Sequence, residues 1–262
     1  MKTLKVIDHR YFFFFDKTIE LQVPERWEDL NDNQFTVCAG IYVDPLSDID
    51  FISQYFGIDK RVVKQISKFE QYKLTELASF VVKPTGTVNF FYIDQIPGTK
   101  LLSPGQKLRG VTFEHFALFD TYFFDYVNDP TEANLRTFVA AVYLKKGDRI
   151  TDIDFEKHVN LFARKVDKMT LYAIFLNYVF LRDWLSKAFP SLFQKSDSKE
   201  DDEDDRKIKP QKKPSRPDWN SMLDGVVGEN ILEYDSYKAL PCIQLFKLMN
   251  KHIKEFKRNG RK

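Results

Sequence analysis

The chain has 262 residues, 43% of them apolar, enough to bury a genuine core and to exclude disorder throughout. Its 40 Lys and Arg stand against 38 Asp and Glu, so the formal charge of +2 falls well short of the basic excess of a dedicated nucleic-acid binder. The aromatic share of 15% rests mainly on 25 Phe, which points to bulky packing between helices or to apolar surface kept for a partner.

The start reads as β structure. Tyr11 to Phe15 is an aromatic run, Ile19, Leu21 and Val23 share one face of an alternating segment, and Asp16-Lys17 suggests a hairpin within residues 4–23. After Pro24, Asn31 stands three residues before Gln34, a capping-box spacing that predicts a helix from about Asp32 to Val43. Ser47 or Asp48 then caps a short helix through Phe51, Ile52 and Tyr55, stopped by Gly57, and more helix is expected from Lys60 to Val82. Thr87 to Ile93 is β-branched and aromatic, and with the Pro-Gly turns at 97–98 and 104–105 it predicts a second small β element near residues 87–103.

From Val111 to Asn128 a helical wheel places Glu114, Thr121, Asp125 and Asn128 on one polar stripe, with nearly everything else apolar, so this helix should be mostly buried. Asp129-Pro130 stops it, and Thr131 caps the next helix, Glu132 to Leu144. Helical spacing returns over Asp154 to Lys168 and in an apolar helix ending near Lys187. That apolar stretch, Met169 to Leu185, contains Asn177, Arg182 and Asp183, which favours a buried helix over a membrane span.

Beyond Pro190 the pattern changes. Glu200 to Asp205 is wholly acidic, Arg206 to Lys213 is mainly basic, and Pro210, Pro214 and Pro217 recur, the composition of a disordered charged linker. Asp218 caps a helix carrying Trp219, Leu223 and Val226. Pro241 opens a final helix whose apolar stripe of Ile243, Phe246, Met249, Ile253 and Phe256 lies opposite Lys247, Lys251 and Lys254. The expected fold is mainly α: a multi-helical domain over 1–192 with the two small β-hairpin elements, a linker over 193–217, and a small helical module over 218–262.

Motifs that carry chemistry are missing. His9, His115, His158 and His252 belong to no metal-ligand arrangement, and the chain contains no phosphate-cradling glycine loop or nucleophile elbow. No enzyme, metal or cofactor is therefore expected. Asp154 and His158, at i and i+4, read as a surface pair. His115 and Asp120 lie off the polar stripe of their helix, with Arg182 as an ion-pair partner for Asp120. Cys38 and Cys242 stand alone in apolar helical contexts and read as reduced core residues. Met1 to Arg10 alternates charged and apolar residues, unlike a signal peptide, which places the expected protein in the cytoplasm.

Three phrases carry a family resemblance: Pro24-Glu25-Arg26-Trp27-Glu28-Asp29-Leu30 with Gln34, Thr112-Phe113-Glu114-His115-Phe116, and the closing Asp218-Trp219 and Leu240-Pro241. They resemble proteins encoded in tail-gene clusters of gut-bacterial phages and prophages. A helical body followed by a small helical piece is similar to tail-assembly chaperones of such clusters, which implies a non-enzymatic role and a protein partner among the tail or virion subunits, in the host cytoplasm. Two alternatives stand beside it, a virion structural protein for tail or head completion and a nucleic-acid-associated regulator using the basic linker half and tail. The expected partner-binding residues are Trp219, Leu223, Phe246, Met249 and Ile253, with the core of the C-terminal module as their other role.

Overall fold

A computed structural model describes residues 2–8, 17–193, 216–228 and 231–259. In chain order the regular elements are β1 (Lys2–Asp8), β2 (Lys17–Val23), α1 (Asp32–Gly40), α2 (Asp48–Phe56), α3 (Lys60–Val63), α4 (Lys68–Glu76), β3 (Leu101–Leu102), α5 (Phe113–Asn128), α6 (Glu132–Val142), β4 (Leu144–Lys145), α7 (Phe155–Lys165), α8 (Lys168–Ala188), α9 (Pro190–Phe193), α10 (Trp219–Val227), α11 (Tyr234–Lys238) and α12 (Cys242–Asn259). The fold is mainly α. Most of the expected linker, residues 194–215, lies outside the described residues, as do His9 and the aromatic run Tyr11 to Phe15.

Packing divides the chain into two units, one of Met1–Val88 with Asp167–Phe180 and one of Asn89–Val166 with Leu181–Lys262. This partition differs from the body-and-module expectation. The residues from 218 onward belong to the same unit as α5 and α6.

In the first unit β1 and β2 form an antiparallel pair with Lys2 opposite Val23, Leu4 opposite Leu21 and Asp8 opposite Lys17. Among the described residues the partner of β2 is thus Lys2–Asp8. Asn31 caps α1 in a complete capping box: its side chain accepts from the Gln34 amide at 2.9 Å, and Gln34 accepts from the Asn31 amide at 3.1 Å. Ser47 caps α2, and Gly57 ends it at φ +68°, a left-handed conformation in which an L side chain is strained.

The helix expected over Lys60 to Val82 is divided into α3, α4 and a 3-10 turn at Ser79–Val82. The break has a local cause. Ser67 and Glu70 form a second capping box that restarts the helix, and Gln71 donates to the Val63 and Ile66 carbonyls at 3.0 and 2.9 Å, closing the end of the preceding turn.

The core of this unit centres on Trp27, 1% exposed, whose ring meets Phe35, Phe80 and Phe180 edge-on at 5.7, 6.2 and 5.3 Å. Its indole N–H donates to the Lys83 carbonyl at 2.9 Å, and Glu28 accepts from the Thr87 amide at 2.9 Å. The phrase Trp27-Glu28 therefore fixes the chain leaving the 3-10 turn. A Cβ on Gly86 would stand 2.6 Å from the Phe180 ring, so the residue there must lack one. A satellite cluster joins Leu21, Ile52, Ile58, Val62, Val63 and Leu74.

The second unit is built on α5 and α6. Thr112 and Thr131 cap them by accepting from the amides of His115 and Asn134. The β element expected near 87–103 is smaller than its composition suggests: Thr87 to Ile93 is irregular, and β3 pairs with β4, about forty residues further on. One reason is that the Tyr143 hydroxyl donates to the Ile93 carbonyl at 2.6 Å, satisfying backbone there without a ladder. The stretch Thr112 to Pro241 closes through backbone: Phe113 N–H donates to the Leu240 carbonyl and Cys242 N–H to the Val111 carbonyl, both at 2.9 Å. The second and third phrases thus lie side by side.

Candidate partner-binding site

Of the predicted polar stripe of α5, Glu114 and Asp125 are exposed and Thr121 and Asn128 are half-buried, while Phe113, Phe116, Phe119, Phe123 and Phe124 are buried. Onto that buried face pack α9, α10 and the first half of α12. Phe246 sits at their meeting point, with ring centroids 4.8 Å from Phe116, 5.5 Å from Phe189 and Phe193, 5.7 Å from Trp219 and 6.3 Å from Phe113. All but one of these contacts are edge-to-face or tilted, and Trp219 alone stacks on it.

Inside this aromatic shell lies one buried polar node. The Asp120 carboxylate, 0% exposed, is ion-paired with Arg182 of α8 and accepts the Trp219 indole N–H at 2.8 Å. The Arg182 guanidinium is flanked by the rings of Phe124, Phe123 and Phe193, 4.6, 5.2 and 5.6 Å away, whose faces attract a cation. Burial lowers its pKa to about 10, which still leaves it charged at neutral pH. The Asp120 and Arg182 pairing expected from the sequence is present; the role of Trp219 as a hydrogen-bond donor to Asp120 had no sequence signal.

Four of the five expected partner-binding residues are consumed by this packing. Trp219, Leu223, Phe246 and Met249 are 4%, 0%, 0% and 1% exposed, while Ile253 is half-buried. The structure brings the first four together and leaves Ile253 at the edge. Past it, α12 continues with Phe256 at 76% exposure.

Two of the histidines, His115 and His158, are structural. The His115 Nε2–H donates to the Ala141 carbonyl at 2.6 Å, and the His158 Nε2–H reaches the Ala140 and Tyr143 carbonyls at 3.0 and 2.8 Å. A carbonyl only accepts, so each ring carries its proton on Nε2, and together they satisfy carbonyls left open at the end of α6. The expected Asp154 and His158 pair does not form. Asp154 caps α7 through the Lys157 amide and pairs with the Lys157 ammonium at 2.7 Å, because a residue at the N-cap points its oxygens at the helix's free amides. His252 is exposed on α12. Burial lowers the pKa of His115, against the opposing pull of its bond to Ala141.

A depressed histidine pKa has a definite sign. Above its unfolded value of about 6.5 the stability is fully present, and as pH falls below 6.5 the unfolded chain takes up the proton first, so stability declines toward the folded pKa. Urea midpoints measured between pH 7.5 and pH 5, spanning that value, should fall more steeply for the natural chain than for His115→Gln, which keeps a donor and loses the titration. Equal slopes would remove His115 as the cause.

Cys38 and Cys242 are free and buried, and burial pushes both thiols up, Cys242 to about 12. Beside the aromatic core, two adjoining surface cavities of about 490 and 340 Å³ follow the first turns of α5 and share Glu114, Ile150, Thr151 and Lys238, the smaller also lined by Phe113 and Trp219. Their walls mix both signs of charge, with Asp148, Arg149 and Asp235 around the larger. Among the described residues no group of three His, Cys, Asp or Glu is arranged to hold a metal ion, and no helix is long and apolar enough to cross a membrane.

No protein-family model matches the chain, and neither the curated proteins nor the solved structures contain a match to it.

Proposed function

We propose that this chain is a non-enzymatic, chaperone-like protein-binding factor of phage tail assembly, working in the host cytoplasm on tail or virion subunits. The observation that carries the protein-binding part is the stripe of α12. Its first half is anchored in the second unit, and its second half runs on with a large aromatic side chain in solvent. The tail-assembly part rests on the resemblance of the phrases around Trp27, Thr112, Trp219 and Pro241.

In this reading Trp219, Leu223, Phe246 and Met249 hold α12 in place, and the contact with the partner begins at Ile253. The aromatic phrases 112–116 and 218–219 then serve recognition indirectly, by fixing the direction in which the helix leaves the unit. An amphipathic helix presented this way suits a helix-in-groove contact.

Co-purification of the full chain with tail-tube and tape-measure subunits tests the proposal, followed by mass spectrometry of finished particles. A soluble complex, with the chain missing from particles, is the expected result. Presence in particles at fixed copy number would make it a virion component instead, and failure to associate with either subunit would overturn the assembly role.

A further inference from the structure

Along α12 the buried positions recur with helical spacing: Cys242, Leu245, Phe246 and Met249 are all covered. Seven residues is two turns, so Ile253 repeats the position of Phe246, and Phe256 repeats that of Met249. The same stripe is therefore 0–1% exposed at Phe246 and Met249 and 76% exposed at Phe256. Ile253, between Met249 and Phe256, is half-buried, so the cover given by the described residues thins along the second half of the helix.

Charge says what kind of surface completes the stripe. From Lys247 to Lys262 the sequence holds seven Lys and Arg, at 247, 251, 254, 257, 258, 261 and 262, against the single acid Glu255, in a chain whose total charge is only +2. Glu255 lies 3.8 Å from Lys251 and offsets little of the excess. Cations near a helix C-terminus complement its dipole, but that benefit falls off within the last turn and does not reach Lys247 or Lys251. A basic helix with an uncovered apolar ridge fits an apolar groove rimmed by carboxylates.

We infer that the end of α12, from Ile253 onward, is a docking element for a partner protein that presents an apolar groove with an acidic rim, Phe256 entering the groove and Lys251, Lys254 and Arg258 meeting its edge. This deepens the proposed function and rests on its protein-binding part. A phosphate backbone would use the cations and leave Phe256 without a role, whereas a groove uses both.

Calcium-loaded calmodulin supplies a groove of this chemistry and serves as the probe, titrated by calorimetry against the full chain. Saturable binding is expected, weakened roughly tenfold or more by Phe256→Ala and again by Lys251→Glu with Lys254→Glu and Arg258→Glu. Phe256 is exposed, so circular dichroism should show these variants folded. Polyglutamate, single-stranded RNA and phosphatidylserine vesicles are run in parallel. No binding to calmodulin, or binding that ignores Phe256, overturns the inference, as does tighter binding to RNA or vesicles. Tail subunits retained by Phe256→Ala would overturn it while leaving the assembly role standing. Calmodulin binding that depends on Phe256, with no tail subunit captured, would do the reverse.

Discussion

Asp120→Ala is expected to destabilise the second unit by about 3–5 kcal/mol, because it leaves the Arg182 guanidinium buried without its counter-charge and the Trp219 indole N–H without its acceptor. Arg182 sits among three Phe rings, where water cannot replace the lost carboxylate at full strength. The magnitude reflects what remains behind rather than the worth of the pair. A double variant, Asp120→Leu with Arg182→Met, removes both charges and should be markedly more stable than Asp120→Ala alone. Urea denaturation followed by far-ultraviolet circular dichroism measures both. A loss under about 1 kcal/mol in Asp120→Ala would mean that the node is not a stabilising centre.

Phe246→Ala should cost about 3–5 kcal/mol, whereas Phe256→Ala, ten residues along the same helix, should change stability by no more than about 0.5 kcal/mol. Phe246 is fully enclosed by five aromatic rings, so truncation leaves a cavity they cannot close without giving up their edge-to-face geometry. Phe256 is largely in solvent and gives up little. The two positions are alike in residue type and stripe, and differ only in what covers them. Amide hydrogen exchange adds a local reading: in the natural chain protection along α12 should be high through Met249 and fall toward Phe256, and Phe246→Ala should release the first half as well. Equal costs for the two substitutions would contradict the division of the helix into an anchored and an uncovered half.

The local devices were legible because they depend on residues a few positions apart. Asn31 with Gln34, Ser47, Thr131 and Asp218 each announce a helix start through a side-chain oxygen within reach of free amides, and each one caps where its spacing says. Ser67 with Glu70 has the same signature and divides the segment Lys60 to Val82. Thr87 to Ile93 misled for the opposite reason. Its β-branched and aromatic residues fit a pleated surface, yet a strand needs a partner, and the Ile93 carbonyl is taken by a side chain from fifty residues away.

The candidate site divides in the same way. Periodicity identifies the stripe of α12 and the buried face of α5, and opposite charge makes Asp120 and Arg182 natural partners. Periodicity does not say which protein surface covers a stripe. The sequence by itself determined a mainly α chain, the helix caps at Asn31, Ser47, Thr131 and Asp218, the buried character of α5 and the basic, amphipathic nature of α12. Only the tertiary structure decided that Trp219 donates to Asp120, that both central histidines close the end of α6, and that the stripe of α12 is covered as far as Met249 and open at Phe256. Capping and amphipathicity are properties of neighbours along the chain. Coverage is a property of elements brought together from far apart in it, and no local pattern records where that packing stops.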